Sequence, residues 1–349
     1  MADHSIARPA RHFSTRRSIV YAALIVGTLV GGAEILLRLV GVRPPVRPRL
    51  LLRAIDVDID FPFMQPDADL FWAPRPGFRG DFLGRPVTIN ALGLRGAEVA
   101  EPKPVRRRRV LCFGDSITFG YGVGDDETYA FRLGQALGPH GVEVVNAGVT
   151  GYTSHQVLAL AERVVPRVRP DLATVCIGWN DGSARPVDDR EYARRLRRVM
   201  AVESAFDRSY IFRAMKRVYA RAQARPSGSR TATRRVPLEA YRENLTRLVA
   251  MLRAQGVQPV FIDLPRRRRP AEAPLESPYP AAFAAAAREL GVPCLSAGEL
   301  GYDAPLDDNQ RYFIDTLHFS AAGHERLAEH LARQFDERRL LAPGAPAAE

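Results

Sequence analysis

The sequence predicts an α/β protein, a parallel sheet with helices on both faces, preceded by a single N-terminal transmembrane helix. Three observations predict it. A long apolar run follows a basic N-terminus; from residue 109 onward short apolar runs alternate with helical stretches, the pattern of βαβ units; and Gly-bearing turns recur directly after those runs. A chain of 349 residues, 46% hydrophobic and 26% charged, has ordinary globular composition, which excludes a disordered or fibrous protein.

Of the 50 basic residues only Lys103 and Lys216 are lysine, and the formal net charge is +11. Binding to nucleic acid needs cationic residues clustered on one face. Here the arginines are spread along the whole length, so no nucleic-acid partner is expected. Three cysteines, Cys112, Cys176 and Cys294, cannot all pair, and no C-x-x-C spacing occurs. No His, Cys, Asp or Glu set stands at a metal-binding spacing, and no cofactor is invoked.

Residues 1–18 form a basic flank carrying Arg8, Arg11, Arg16 and Arg17. The apolar run 19–42 is interrupted only by Glu34 and Arg38, one helical turn apart and able to pair. At about 1.5 Å per residue it reaches roughly 36 Å, enough to cross a hydrocarbon core of about 30 Å. The reading is a signal-anchor. The uncharged part ending in Gly31-Gly32-Ala33 also fits a cleavable signal peptide, and Thr15-Arg16-Arg17-Ser18-Ile19 partly fits a twin-arginine signal. Orientation is left open by charge, because Arg43, Arg47, Arg49 and Arg53 flank the far side as densely as the near side.

Residues 43–105 read as a juxtamembrane linker and a small lead-in with strand-like pieces at 61–63, 70–72 and 86–89. The domain proper, 106–336, opens with a strand at 109–113. Helix 126–137, strand 143–146, helix 154–165 and strand 172–177 follow. Two long helical stretches at 190–224 and 238–255 precede strand 259–264. Helix 279–290, strand 292–295 and a closing helix at 321–335 complete the domain. Residues 337–349 are Ala/Pro-rich and expected to be disordered.

Candidate chemistry gathers at turns after strands, which in a parallel sheet share one edge. Gly114-Asp115-Ser116 leaves the first strand, and places a serine hydroxyl at the start of a helix. Asn146-Ala147-Gly148-Val149-Thr150-Gly151 follows the second strand, where glycine lets a backbone N–H approach a ligand. Gly178-Trp179-Asn180-Asp181 ends the third, supplying a side-chain amide suited to a developing oxyanion. Asp315-Thr316-Leu317-His318 sets a carboxylate three residues before an imidazole, a spacing that lets the carboxylate orient the ring while its other nitrogen takes a proton from serine.

These four segments resemble the blocks of the SGNH, or GDSL-type, hydrolases, over roughly residues 107–336, and with its N-terminal anchor the chain resembles bacterial membrane-anchored members. The resemblance implies a flavodoxin-like three-layer α/β/α sandwich. It implies Ser116 as nucleophile, Asp315 and His318 as the rest of the triad, and the Ser116 amide, Gly151 and Asn180 as oxyanion donors. Gly148 replaces Gly151 if the second block aligns differently. Ile117 stands where the family's name-giving leucine would, away from any reacting atom. The stretch Asn90-Ala91-Leu92-Gly93-Leu94-Arg95-Gly96 is also similar to membrane-tethered members.

The implied activity is a serine esterase acting on an O-acetyl glycan or lipid-like ester, anchored by its single helix with the catalytic domain periplasmic or otherwise extracytoplasmic. Acyl transfer to a glycan hydroxyl in the same site is the nearest alternative, and a catalytically idle tethered binding module is the alternative of another class. Asp115 and Asp181 read as turn-structuring residues, His324 as solvated and His155 as exposed or behind the site. Arg106–Arg109 falls at the sheet's far edge and reads as solvated or lipid-facing. The run Arg266, Arg267, Arg268 and Arg269 leaves from the catalytic edge and is a candidate for holding an anionic substrate, against the alternative of a solvated loop.

Overall fold

The computed structural model describes residues 15–40, 61–206, 209–212, 232–263, 277–297, 310–315 and 317–341. The chain divides into two compact units. The first takes residues 1–54 and 199–228, the second all the rest.

In the first unit, helix α1 (Thr15–Leu39) begins four residues before the apolar run, because nothing in Thr15 to Ser18 opposes helix, and none of its side chains is buried. Its mean hydropathy of 2.0 over an 18-residue window makes it long and apolar enough to cross a membrane. Arg38 pairs with Glu34 at 2.8 Å. Glu34 also accepts hydrogen bonds from Ser209 Oγ and from the Tyr210 and Ile211 amides.

In the second unit two hairpins come first. Strand β1 (Met64–Asp67) pairs antiparallel with β2 (Phe71–Pro74), and β3 (Arg79–Phe82) with β4 (Arg85–Thr88). The hydrolase-like part then supplies β5 (Arg108–Gly114), a four-residue helical turn α2 (Ser116–Phe119), α3 (Tyr129–Leu137), β6 (Val142–Gly148), α4 (Ser154–Val168) and β7 (Leu172–Cys176). A two-residue strand β8 (Ala184–Arg185), helix α5 (Asp189–Phe206, of which residues from 199 on count with the first unit), β9 (Thr233–Arg234), α6 (Leu238–Ala254), β10 (Gln258–Asp263), α7 (Tyr279–Glu289), β11 (Cys294–Ser296) and α8 (Ala321–Glu337) complete it.

Five strands form one parallel sheet in the order β11-β10-β7-β5-β6. The inner stretches of its central strands, Val110–Phe113 and 259–262, are apolar and buried, as is Leu172–Cys176 but for the equally buried Thr174, because both faces are covered. Val110 and Cys112 join the core beneath α3 and α8, with Leu133, Leu327, Leu331 and Phe335. On the opposite side α4, α6 and α7 pack side by side, and Phe261 stacks on Phe283 of α7 at 4.4 Å. This is the flavodoxin-like strand order, whose ligand crevice lies where the order reverses, between β5 and β7.

Two expectations need correction. Arg109 is fully buried, its guanidinium bonded to Glu143, Ala100 O and Val168 O, so the cluster 106–109 is solvated only in part. The closing helix runs to Glu337 and Leu340 is buried, so chain order extends past 336. The first long helical stretch, expected at 190–224, is described as α5 to Phe206 and again at 209–212; the rest of it lies outside the described residues.

Candidate active site

Three strand ends are brought level by the sheet register: Gly114 pairs with both Gly148 and Cys176. The turns that follow therefore open side by side. The first is fixed by Asp115, which caps α2 by accepting from the Ile117 amide at 3.0 Å. Ser116 is thereby the first helical residue, where backbone N–H groups lack intrahelical partners. Any side chain at Gly148 would strike the backbone of Thr118 and Phe119, so glycine there lets the first two turns lie against each other.

Asp315 and His318 come from a tight turn between Phe313 and Phe319, which are bridged antiparallel and buried. One Asp315 oxygen accepts from the Leu317 and His318 amides at 2.7 Å each, and the other meets His318 Nδ1 at 2.7 Å. Burial alone would raise the Asp315 pKa; these hydrogen bonds outweigh it and hold the carboxyl below its ordinary range. On the other side of the ring, His318 Nε2 lies 2.8 Å from Ser116 Oγ across 202 positions of chain. Serine, imidazole and carboxylate stand in series.

The oxyanion candidates differ in what their donors already do. The Gly148 N–H is taken by Asn146 Oδ1 at 2.9 Å. The Gly151 N–H meets no hydrogen-bond acceptor among the described residues, and its φ of 79° suits glycine. Asn180 Nδ2 donates to Tyr152 O at 3.0 Å and reaches Asp115 Oδ2 at 3.3 Å. Asp115 and Asp181 are both buried, and burial pushes each pKa up to about 7. Asp181 accepts from the Ser154 hydroxyl and amide, which ties the third turn to the start of α4.

His324 is not solvated. It is 1% exposed, and its Nδ1 accepts from the Tyr129 amide at 3.2 Å. Burial, then the nearby positive charge of Arg95, lowers its pKa to about 3. Its place one turn into α8 faces the α3 layer. His155 is half-buried and stacked on Phe71. The run Arg266, Arg267, Arg268 and Arg269 lies outside the described residues.

Four residues escaped the sequence reading. Arg95 is buried and donates to Phe119 O, Gly120 O and Val123 O at 2.6 Å each, with Asp125 at 3.1 Å, so it pins the loop after the serine. Tyr121 lies against the His318 ring. Trp72 and Arg235 bond the carbonyls on either side of the Gly151 N–Cα–C unit. Only Arg95 had a sequence signal, its position in the Asn90–Gly96 stretch.

A buried serine in reach of an imidazole that a carboxylate orients, at the switch point of a parallel sheet, is the constellation of serine-dependent acyl chemistry. The chain belongs to the GDSL-like Lipase/Acylhydrolase family, whose model matches residues 112–326. A 76-residue stretch is 33% identical to an arylesterase of Vibrio mimicus, covering 21% of this chain and 38% of that protein. The chain thus spans well under half the length of this curated relative. Among solved structures it is similar to a lipase/acylhydrolase from Enterococcus faecalis (20% identity, 66% of this chain and 96% of that one, TM-score 0.44). An acetylxylan esterase from Geobacillus stearothermophilus is similar too (20% identity, 65% and 93%, TM-score 0.43).

Proposed function

We propose that this protein is a serine esterase that hydrolyses an acyl ester through an acyl-enzyme, on an O-acetyl glycan or a lipid-like substrate. The 2.8 Å approach of His318 Nε2 to Ser116 Oγ carries the reading. His318 takes the Ser116 proton as Oγ bonds to the ester carbonyl carbon, and Asp315 holds the ring in the tautomer that can accept it. Negative charge then gathers on the carbonyl oxygen, where the Ser116, Gly151 and Asn180 N–H groups stabilise it. The C–O bond to the leaving alcohol breaks as His318 returns the proton to it. Water, deprotonated by His318, releases the acid and restores Ser116.

Family membership and the partial arylesterase match support an ester as substrate. The helix Thr15–Leu39 supports anchorage by one membrane span; the extracytoplasmic placement of the hydrolase-like part rests on the resemblance to membrane-anchored members alone. The test is covalent labelling of the full-length protein by a fluorophosphonate, paired with acid release from acetylated glycans and lipid esters. Both are expected, and both are expected to vanish in Ser116→Ala. Turnover that survives this substitution overturns the mechanism; absence of both from the native protein favours an idle binding module.

A further inference from the structure

Three consecutive carbonyls of the second turn each have a donor. Trp72 Nε1 donates to Thr150 O at 3.0 Å, Arg235 Nη1 to Gly151 O at 2.7 Å and Asn180 Nδ2 to Tyr152 O at 3.0 Å. The first of these matters most for chemistry. Thr150 C=O and Gly151 N–H belong to one planar trans peptide group, so they point in opposite directions. Whatever holds the carbonyl aims the N–H.

The holder is rigid. Trp72 is fully buried, and its ring lies 3.2 Å from the point where a side chain on Gly151 would begin. Its own carbonyl accepts from the Tyr152 hydroxyl at 2.6 Å, and the neighbouring Leu70 O accepts from Gln156 Nε2 at 2.7 Å. Strand β2 is thus stapled to the turn and to the first turn of α4. The Arg235 guanidinium sits over the indole at 5.6 Å, and is itself held by Asp189 and Gln156. Trp72 lies in the lead-in, before the segment matched by the family model.

We propose that Trp72 is a positioning residue for ester hydrolysis: by bonding the Thr150 carbonyl, its indole N–H aims the Gly151 N–H into the oxyanion pocket. The inference rests on the esterase reading above and adds to it that the lead-in contributes to catalysis. It predicts a loss in the chemical step that is separate from any loss of folding. A donor removed outright costs about 10²–10³ in turnover, and one left in place but unaimed is expected to cost about tenfold.

The experiment uses the full-length protein in detergent with p-nitrophenyl acetate. Two forms are compared with the native one: Trp72→Phe, and position 72 carrying 3-benzothienylalanine, which keeps the shape of the indole and lacks its N–H. Exhaustive fluorophosphonate labelling counts competent sites, so turnover is read per site. The expected result is a fall of about tenfold in kcat per labelled site in both forms, with KM and the pH midpoint of kcat unchanged. Should Trp72→Phe fail to fold, the benzothienyl form decides alone. Native kcat per site in that form overturns the inference while the esterase reading stands, even if fewer sites label, since that is what a purely structural role produces. A native protein with neither turnover nor label overturns both.

Discussion

The Tyr121 ring lies against the His318 imidazole, 4.4 Å between centroids and tilted by 31°. Behind it stand Phe82 at 5.5 Å and Phe61 at 6.3 Å, edge to face, so the lead-in braces the ring that braces the base. Tyr121→Leu is expected to lower kcat about three- to tenfold with the fold intact, whereas Tyr121→Phe keeps most of it. Steady-state kinetics with a soluble ester checks the pair, and equal turnover in Tyr121→Leu refutes the bracing role.

Asn180 has two N–H bonds to give. One is held by Tyr152 O at 3.0 Å, and the other makes the longer 3.3 Å contact with Asp115, which leaves it the more easily redirected to a developing oxyanion. Asn180→Ala should cut kcat by about 10²–10³ at little change in KM. Asn180→Asp should not rescue it, since a carboxylate offers charge of the wrong sign. The measurement is kcat at saturating ester, and a drop confined to KM speaks against the role.

Arg95 spends its guanidinium on three carbonyls and Asp125, and stacks over Phe119 at 4.6 Å. Lysine has neither the reach nor the number of donors to replace it. Arg95→Lys and Arg95→Met are each expected to lose about 3–5 kcal/mol of stability by leaving those carbonyls unpaired in the interior. Urea titration of the native and variant proteins gives the difference directly, and a loss under 1 kcal/mol contradicts the reading.

The buried His324 makes the fold acid-sensitive. Its imidazole stays neutral in the native state down to about pH 3, while in the unfolded chain it protonates near its ordinary 6.5. Between those values the unfolded state holds more protons, so this contribution is complete above pH 6.5 and is lost as pH falls toward 3. Asp115 and Asp181, raised to about 7, act oppositely and lose stability as pH climbs from about 4 to 7. The comparison that isolates the histidine is the pH slope of the melting temperature in His324→Asn against the native protein. A shallower decline between pH 6.5 and 4 is expected in the variant; parallel curves refute it.

How much the sequence disclosed depended on the range of the interaction. The central strands β5 and β7 were legible because burial on both faces favours apolar runs such as Val110–Phe113. Ser116, Asp315 and His318 were legible because each sits in a short local pattern with its own turn chemistry. Strand β3, Arg79–Phe82, was not, since its side chains are mostly exposed and Arg-Gly-Asp-Phe has no alternation to mark it. Nor was the burial of Arg95 or Arg109 visible among so many arginines, because the partners that neutralise and satisfy them are brought by folding. His324 was read as solvated because nothing local marks it as buried, when the packing of α8 on α3 decides its environment. Trp72 acts on a peptide 78 positions away, and no local spacing encodes that.

The closing helix α8 carries Leu327, Leu331 and Phe335 into the same core as Leu133 and Leu137 of α3, directly after the turn that bears Asp315 and His318. On the esterase reading proposed above, a chain cut before α8 would lack the packing that seats His318 beside the hydroxyl at 116, and so is expected to be inert toward esters.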